Sequence, residues 1–470
     1  MKKQCLGIVS ALLCMLGTMA QTSDDLYREP LEQVLKAIEK RFNIKIRYSE
    51  DQVKDKWVTY AQWRFRADAE KTLTNVLAVH DLVYTKTDER SYRIRNYQYH
   101  LKTPEDGKEQ LDYLLSLYPD KASWEKRKSA LRACMYEALR LSPLPPKPAS
   151  APVITNKRVH DGYSVENIAF EILPGLYVAG SLYKPLKSKG KIPVVLCPDG
   201  HWPKHRYRPD CQIRCAMLAR MGAMAISYDL FGWGESLLQF KPEDHRRSLA
   251  MTIQALSSIR ILDYMLSLKE ADTSRVAISG GSGGGSQTML ITALDDRIKL
   301  SAPVVMLSSY HSGGCPCESG MPVHLCEGGT NNPEIAAMAA PRPQLIVSDG
   351  KDWTAHVPEI EFPYLQKMYG LYNSAHLTRN VHLPAEGHDF GINKRLPLYE
   401  FIAEHFNMNI DAIKDKQGRI DESRVTVEEE QALYVFGKNG ETLPANAIKG
   451  FENLEKLFEA LQGKREAQNN

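Results

Sequence analysis

The sequence predicts an α/β fold: a mostly parallel sheet flanked by helices, preceded by a small α+β module. Three observations carry this. Short apolar runs alternate with helical patterns from residue 192 onward, and a strand-like alternation over 162–183 leads into them. Between one apolar run and one helical pattern lies the glycine-rich turn 280–286. The 470 residues, 43% hydrophobic and 25% charged, suit an ordinary globular protein of roughly two to four domains and exclude wholesale disorder. Lys+Arg 60 against Asp+Glu 57 leaves +3, a balance that gives no footprint of a nucleic-acid binder.

Lys2 and Lys3 precede the apolar stretch 5–16, followed by Gly17-Thr18-Met19-Ala20 and then polar Gln21-Thr22-Ser23-Asp24. A basic start, a short apolar core and small residues before a polar switch predict a secretory signal peptide over 1–20. The run is shorter than the ~20 residues a membrane span needs, so no stable span is expected, and a retained anchor is the rival reading. A lipoprotein-type Cys14 fits poorly behind the bulky Leu13. Export to the periplasm, the outer membrane or the medium follows, and losing Lys2 and Lys3 lowers the net charge from +3 to +1. Of nine cysteines, Cys5 and Cys14 go with the signal, leaving 134, 197, 211, 215, 315, 317 and 326. An odd number leaves at least one unpaired. Cys197 ends an apolar run and reads as a buried small hydrophobe. Cys315, Cys317 and Cys326 share one loop, which suggests a local disulfide. A zinc site there would need His311 or His324 as a further ligand, at a spacing that matches no familiar pattern, so no metal or cofactor is predicted.

Over 25–100 the elements alternate. Leu31, Val34, Leu35, Ile38 and Phe42 recur at helical spacing, Ile44, Ile46 and Tyr48 alternate as a strand, and 57–65 gives another. Residues 67–78 read as a second helix, and 82–84 with 92–94 close the module around a turn at Asp88-Glu89. This order, with LEQVLKAIEKRFNIKIRYSEDQV and ADAEKTLTNVLAVHDLVYT, resembles the short N-terminal domain of secretins and TonB-dependent receptors. The resemblance implies a module for protein or ligand contacts in a bacterial envelope, and so an envelope partner through 25–100. Residues 101–154 read as a helical and Pro-rich link ending in Pro143-Leu144-Pro145-Pro146-Lys147-Pro148. The main domain is expected over 155–408. Its strands are the apolar runs 193–197, 223–228, 276–279, 302–306, 344–347 and 381–383. Residues 409–470 form a C-terminal extension with a helix near 447–461.

The turn Gly280-Gly281-Ser282-Gly283-Gly284 follows the strand 276–279 and precedes the helix 287–294. G-x-S-x-G in that setting is a nucleophile elbow, whose glycines are needed because side chains at 280 and 284 would collide with nearby backbone. A phosphate-binding P-loop would end in Gly-Lys-Ser/Thr, which is absent. An acid and a histidine follow at consecutive strand ends: Asp349 and Asp352 in SDGKDW, then His388 in EGHDF. This gives the catalytic expectation Ser282, His388 and Asp352, with Asp349 as the alternative acid. His382 reads as a packed strand residue, and His356 and His376 as surface groups or as groups supporting the site from behind. The Gly283 and His201 N–H groups are the expected oxyanion donors, with Trp202 and Trp233 as substrate-facing walls. The loop Asp229–Ser236 either borders the site or only forms a tight turn.

CPDGHW, YDLFGWGES, ISGGSGGGSQTMLITALDDRI, SDGKDWT and EGHDFG together resemble the α/β-hydrolase superfamily, in its acetylxylan-esterase-like and dienelactone-hydrolase-like branch. The resemblance covers 155–408. It implies a serine esterase acting through an acyl-enzyme, without cofactor, on a carbohydrate ester such as acetyl groups of plant-type polysaccharides. Where the family has His-Gly in the first loop, this chain has Asp199-Gly200. Where related glucuronoyl esterases have Arg after the elbow serine, it has Gly283, which counts against a uronic ester. The small net charge suits a neutral substrate held by shape and aromatic walls. A prolyl-oligopeptidase-like peptidase and a catalytically inactive envelope binding protein are the alternatives.

Overall fold

In the computed structural model, residues 28–80, 82–96, 102–247, 249–311 and 313–469 are described; the expected signal peptide lies outside them. The chain divides between 98 and 99 into two compact units. In the first, β1 (Arg28–Pro30) leads into α1 (Leu31–Phe42), β2 (Lys45–Arg47), α2 (Glu50–Val53), β3 (Trp57–Thr59), α3 (Ala69–Leu77), β4 (Leu82–Asp88) and β5 (Ser91–Asn96). The predicted helical spacing places Leu31, Val34, Leu35 and Ile38 on the buried face of α1. Strand β1 pairs with β3, and β2-β5-β4 form a second small sheet. The expected strand 57–65 stops at Thr59, because Tyr60 takes a left-handed φ of 51° and turns the chain into a 3₁₀ segment at Ala61–Arg64. One core holds this unit, with Leu73, Val76, Tyr92 and Ile94 completing it.

The second unit begins with α4 (Pro104–Leu117) and α5 (Lys121–Ala138), each opened by a side-chain cap, Thr103 and Asp120. Residues 101–154, expected as a link, are helical in these parts. Leu111, Leu114, Trp124, Leu131 and Met135 enter the larger of this unit's cores. Then follow β6 (Val153–Val159), β7 (Tyr163–Leu173), β8 (Leu176–Pro185), β9 (Ile192–Pro198), α6 (Pro209–Arg220), β10 (Met224–Tyr228), α7 (Ala250–Ser267), β11 (Ala271–Gly281), α8 (Gly283–Leu294) and β12 (Leu300–Val304). The unit ends with α9 (Pro316–Ser319), α10 (Asn332–Ala337), β13 (Gln344–Asp349), α11 (Glu361–Gly370), β14 (Thr378–Leu383), α12 (Ile392–Phe406) and α13 (Phe451–Asn469).

The sheet order is β14-β13-β12-β11-β9-β10-β8-β7-β6. Strands β9 to β14 pair in parallel, and β10 to β6 through β8 and β7 are antiparallel. This is the mostly parallel, helix-covered sheet of an α/β-hydrolase. Strand β9 shows why its run looked uniformly apolar. Ile192, Val194 and Leu196 face the core under α7 and α8, and Val195 and Cys197 face the core under α6 and α12. Residues 409–470 add Ile413, Leu433, Leu454 and Phe458 to these cores. No helix among the described residues is long and apolar enough to cross a membrane.

One disulfide, Cys134–Cys326, ties α5 to the loop after α9, with Cα atoms 5.6 Å apart across 192 residues of sequence. The expected pairing within the loop is therefore corrected. The turn Val323–Gly328 lies against α5, which brings Cys326 to a distant helix and leaves Cys315 and Cys317 as thiols.

Candidate active site

Strand β11 delivers Ser282 to the carboxyl edge of the sheet, and α8 starts at once behind it. Ser282 takes φ 55°, ψ −125°, a conformation costly for a residue with a Cβ and held here by its N–H donating to the Val304 carbonyl at 3.1 Å. The flanking glycines have no room for side chains, as the sequence implies. A Cβ at Gly280 would stand 2.5 Å from the Gly284 carbonyl oxygen, and one at Gly284 would stand 2.4 Å from that of Pro198. The expected helix 287–294 starts earlier, at Gly283, since helix geometry at this turn tolerates the glycines that usually break a helical pattern.

The turns after β13 and β14 bring the two partners. His388 Nε2 lies 3.0 Å from Ser282 Oγ, and His388 Nδ1 lies 2.7 Å from Asp352 Oδ2. Asp352 is held by Thr354, whose N–H and hydroxyl both donate to Oδ1 at 2.6 Å. Asp349, the other acid candidate, is fully buried and turned away. Its Oδ1 accepts the Lys351 N–H, and its Oδ2 is 3.3 Å from Lys394 Nζ. Burial and the neighbouring Asp352 charge push Asp349 above the usual carboxylate range. Lys394, itself buried, stays charged because Asp389, Asp349 and Glu386 outweigh the cost of burial, and its ammonium donates to the Gly387 carbonyl beside His388. The imidazole of His388 sits between two indoles, Trp353 at 4.3 Å and Trp202 at 5.4 Å between ring centroids.

The other expected residues are distributed as follows. Gly283 opens α8, so its N–H is one of the helix-start donors without an intrahelical acceptor. The His201 loop crosses directly over the elbow: a Cβ at Gly200 would lie 2.5 Å from the Gly281 carbonyl oxygen. The His201 ring fills the space beside Gly283, where a Cβ would come within 2.4 Å of Cε1. Asp199 is buried and accepts from Arg208 at 2.9 Å, and Arg208 in turn stacks over Trp202. Trp202 thus borders His388, whereas Trp233 lies edge-on to His201 and His245. Asp229 and Glu235 bracket the buried Arg206 guanidinium at 3.0 and 2.6 Å, and Glu235 accepts the Val435 and Phe436 N–H groups. Those acids of the Asp229 loop are structural. His382 bonds Ser348 within the sheet, as a packed residue should.

Two groups escaped the sequence reading. Glu318 Oε1 comes within 3.4 Å of Ser282 Oγ and 2.9 Å of His201 Nδ1. His201, His245, Cys315 and Cys317 converge so that their ligand atoms all lie within 4.8 Å of one another. The partners considered for the cysteines are elsewhere: His311 stacks on Trp353, and His324 bonds Asn332. A cavity of about 540 Å³ opens over this cluster, lined also by Trp233, Glu243, Arg246 and Glu318. Ser282 does not line it, but Glu318 and His201 connect the two.

Residues 244–312 match the family Acetyl xylan esterase (AXE1). Acetyl esterase Axe7A of Xylanibacter ruminicola is 30% identical over 138 residues, 26% of this chain and 30% of that protein; the chain thus spans under a third of the length of this curated relative. The solved structure of Methylesterase BT1017 is 48% identical, covering 94% of this chain and 100% of the other, with a TM-score of 0.74. With that identity across its whole length, this chain belongs to the same family of carboxylic-ester hydrolases of α/β-hydrolase fold as Methylesterase BT1017.

Proposed function

We propose that this chain is an exported serine esterase acting on plant-type polysaccharides, with Ser282 as nucleophile, His388 as base and Asp352 as its orienting acid. The observation that carries it is the continuous chain of 2.7 and 3.0 Å contacts from Asp352 through His388 to a strained, elbow-borne Ser282. His388 Nε2 takes the hydroxyl proton as Ser282 attacks the ester carbonyl, and Asp352 stabilises the resulting imidazolium. The Gly283 N–H and the His201 backbone N–H take the oxyanion. His388 then protonates the leaving alcohol and afterwards activates the water that releases the acyl-enzyme.

The ester is the methyl ester of a sugar carboxylate, against the expectation from Gly283 that disfavoured a uronic ester. The 48% identity to a methylesterase across its full length supports this. Such an ester is uncharged, which agrees with the balanced composition. In this reading methanol leaves first and the sugar acid stays on Ser282. The match of residues 244–312 to acetyl xylan esterases supports a second reading, in which the acetyl group stays on the serine. Methanol and acetate release from methyl-esterified polygalacturonan and acetylated xylan separates them, with Ser282→Ala as control. Methanol release abolished by Ser282→Ala is expected; acetate release alone favours the second reading, and turnover by Ser282→Ala sinks both. We assign the N-terminal unit to docking on an envelope partner, a reading supported by its resemblance to secretin-type modules. Retention by outer-membrane fractions of the full chain, lost on removing 25–98, is the expected result.

A further inference from the structure

We propose that His201, His245, Cys315 and Cys317 form a four-ligand zinc site that pins the Cys315 loop beside the nucleophile. The donors come from three separate loops, after β9, after β10 and at the start of α9, and meet in a largely buried position. Both imidazoles are oriented for it. His201 Nδ1 faces Glu318 Oε1 at 2.9 Å, and His245 Nδ1 faces the Phe231 carbonyl oxygen at 2.5 Å. Each acceptor draws the ring proton to Nδ1 and leaves Nε2 as a lone pair, the arrangement that a carboxylate or carbonyl imposes on metal-binding histidines. The two Nε2 atoms then face each other at 2.7 Å, a separation that calls for a proton or a metal cation between them. With both Nδ1 atoms engaged by acceptors, both Nε2 atoms point into the cluster, where a zinc ion takes the place of that proton.

The distances suit a tetrahedral ion. Nitrogen near 2.0 Å and sulfur near 2.3 Å from zinc give edges of about 3.3–3.8 Å. Three of the four nitrogen–sulfur edges are 3.3, 3.3 and 3.6 Å, and the fourth, from Cys315 to His245, lies within the 4.8 Å span of the set. The nitrogen–nitrogen edge of 2.7 Å and the sulfur–sulfur edge of 2.9 Å open by under about 1 Å on loading. Two thiolates with two imidazoles select zinc over calcium or magnesium, which take oxygen donors. Four protein donors close the coordination sphere, so the ion is structural. Its effect on the reaction passes through Glu318, one residue after Cys317, and through the His201 ring beside Gly283. These residues position the wall of the nucleophile's pocket.

The test uses the full mature chain made without a polyhistidine tag. Reconstituted with Zn(II) and dialysed, it carries about one zinc per chain by elemental mass spectrometry, and Cys317→Ser and His245→Ala each lose it. Since a variant can fail to fold, the wild-type chain is also loaded with Co(II). Intense tetrahedral ligand-field bands with thiolate-to-cobalt charge transfer are expected. Three results overturn the proposal: a wild-type chain that takes up no zinc, a weak octahedral cobalt spectrum, or full zinc retention by folded variants. Recovery of a Cys315–Cys317 disulfide from a non-reduced digest of the zinc-treated chain overturns it as well.

Discussion

Replacing Asp352 by Asn separates the two acid candidates through a hydrogen-bond constraint that the structure fixes in advance. Thr354 donates its N–H and its hydroxyl to Asp352 Oδ1 at 2.6 Å. An asparagine at 352 must therefore keep its oxygen toward Thr354 and turn its NH₂ toward His388. That NH₂ donates to Nδ1, which moves the ring proton to Nε2, and His388 can no longer accept from Ser282 Oγ at 3.0 Å. A base in the wrong tautomer costs about 10⁴-fold in kcat, or roughly 5.4 kcal/mol of barrier. Asp349→Asn makes no such change, since its carboxylate serves Lys394 and the Lys351 N–H; kcat should stay within a few-fold while stability drops. The assay is kcat on a soluble aryl acetate at saturation, at one pH, with circular dichroism to confirm folding. The reasoning is refuted if folded Asp352→Asn keeps a tenth of the activity, or if Asp349→Asn loses as much.

Lys394→Met leaves Asp349 buried without its cation and releases the Gly387 carbonyl, so a loss of about 3–5 kcal/mol by denaturant melt is expected. Gly283→Ala drives a methyl into the His201 ring at 2.4 Å; overpacking of this kind costs about 1–3 kcal/mol, and the aryl acetate kcat should fall more than the melting point suggests. Burial holds His324 down at about 4, below the ordinary 6.5, so the fold keeps it neutral while the unfolded chain takes up a proton. Its stability contribution is full above pH 6.5 and is lost as pH falls toward 4. Because its edge still meets solvent, the loss is smaller than the roughly 3 kcal/mol that this gap would give. Thermal midpoints from pH 7 to 4.5 should fall less steeply in His324→Gln.

The parallel strands were legible because a strand buried on both faces must be apolar at every position, as Ile192 to Cys197 is. The lead-in was legible for the opposite reason, an alternation. Strand β3 was overextended because nothing local marks Tyr60 as left-handed. At the site, Ser282, His388 and the Asp349/Asp352 pair each sit in a loop with its own pattern after a visible strand, so chain order pointed to them but left the two acids open. The cluster was not legible. Cys315 and Cys317 carry a spacing, but the histidines beside them in space are distant in sequence: His201 comes from the loop after β9 and His245 from the 3₁₀ segment between β10 and α7. Glu318 carries no local signal; only the α9 loop's position over the elbow brings it to Ser282.

Covalent labelling tests the central claim most directly. A fluorophosphonate reacts with a serine only where a base and an oxyanion site activate it. Treated with one, the full chain should gain about one adduct in intact mass, mapped by digestion to Ser282, with hydrolysis of ester substrates lost in proportion. An unlabelled Ser282 in a chain that still hydrolyses esters, or activity that persists once Ser282 is fully modified, contradicts the account.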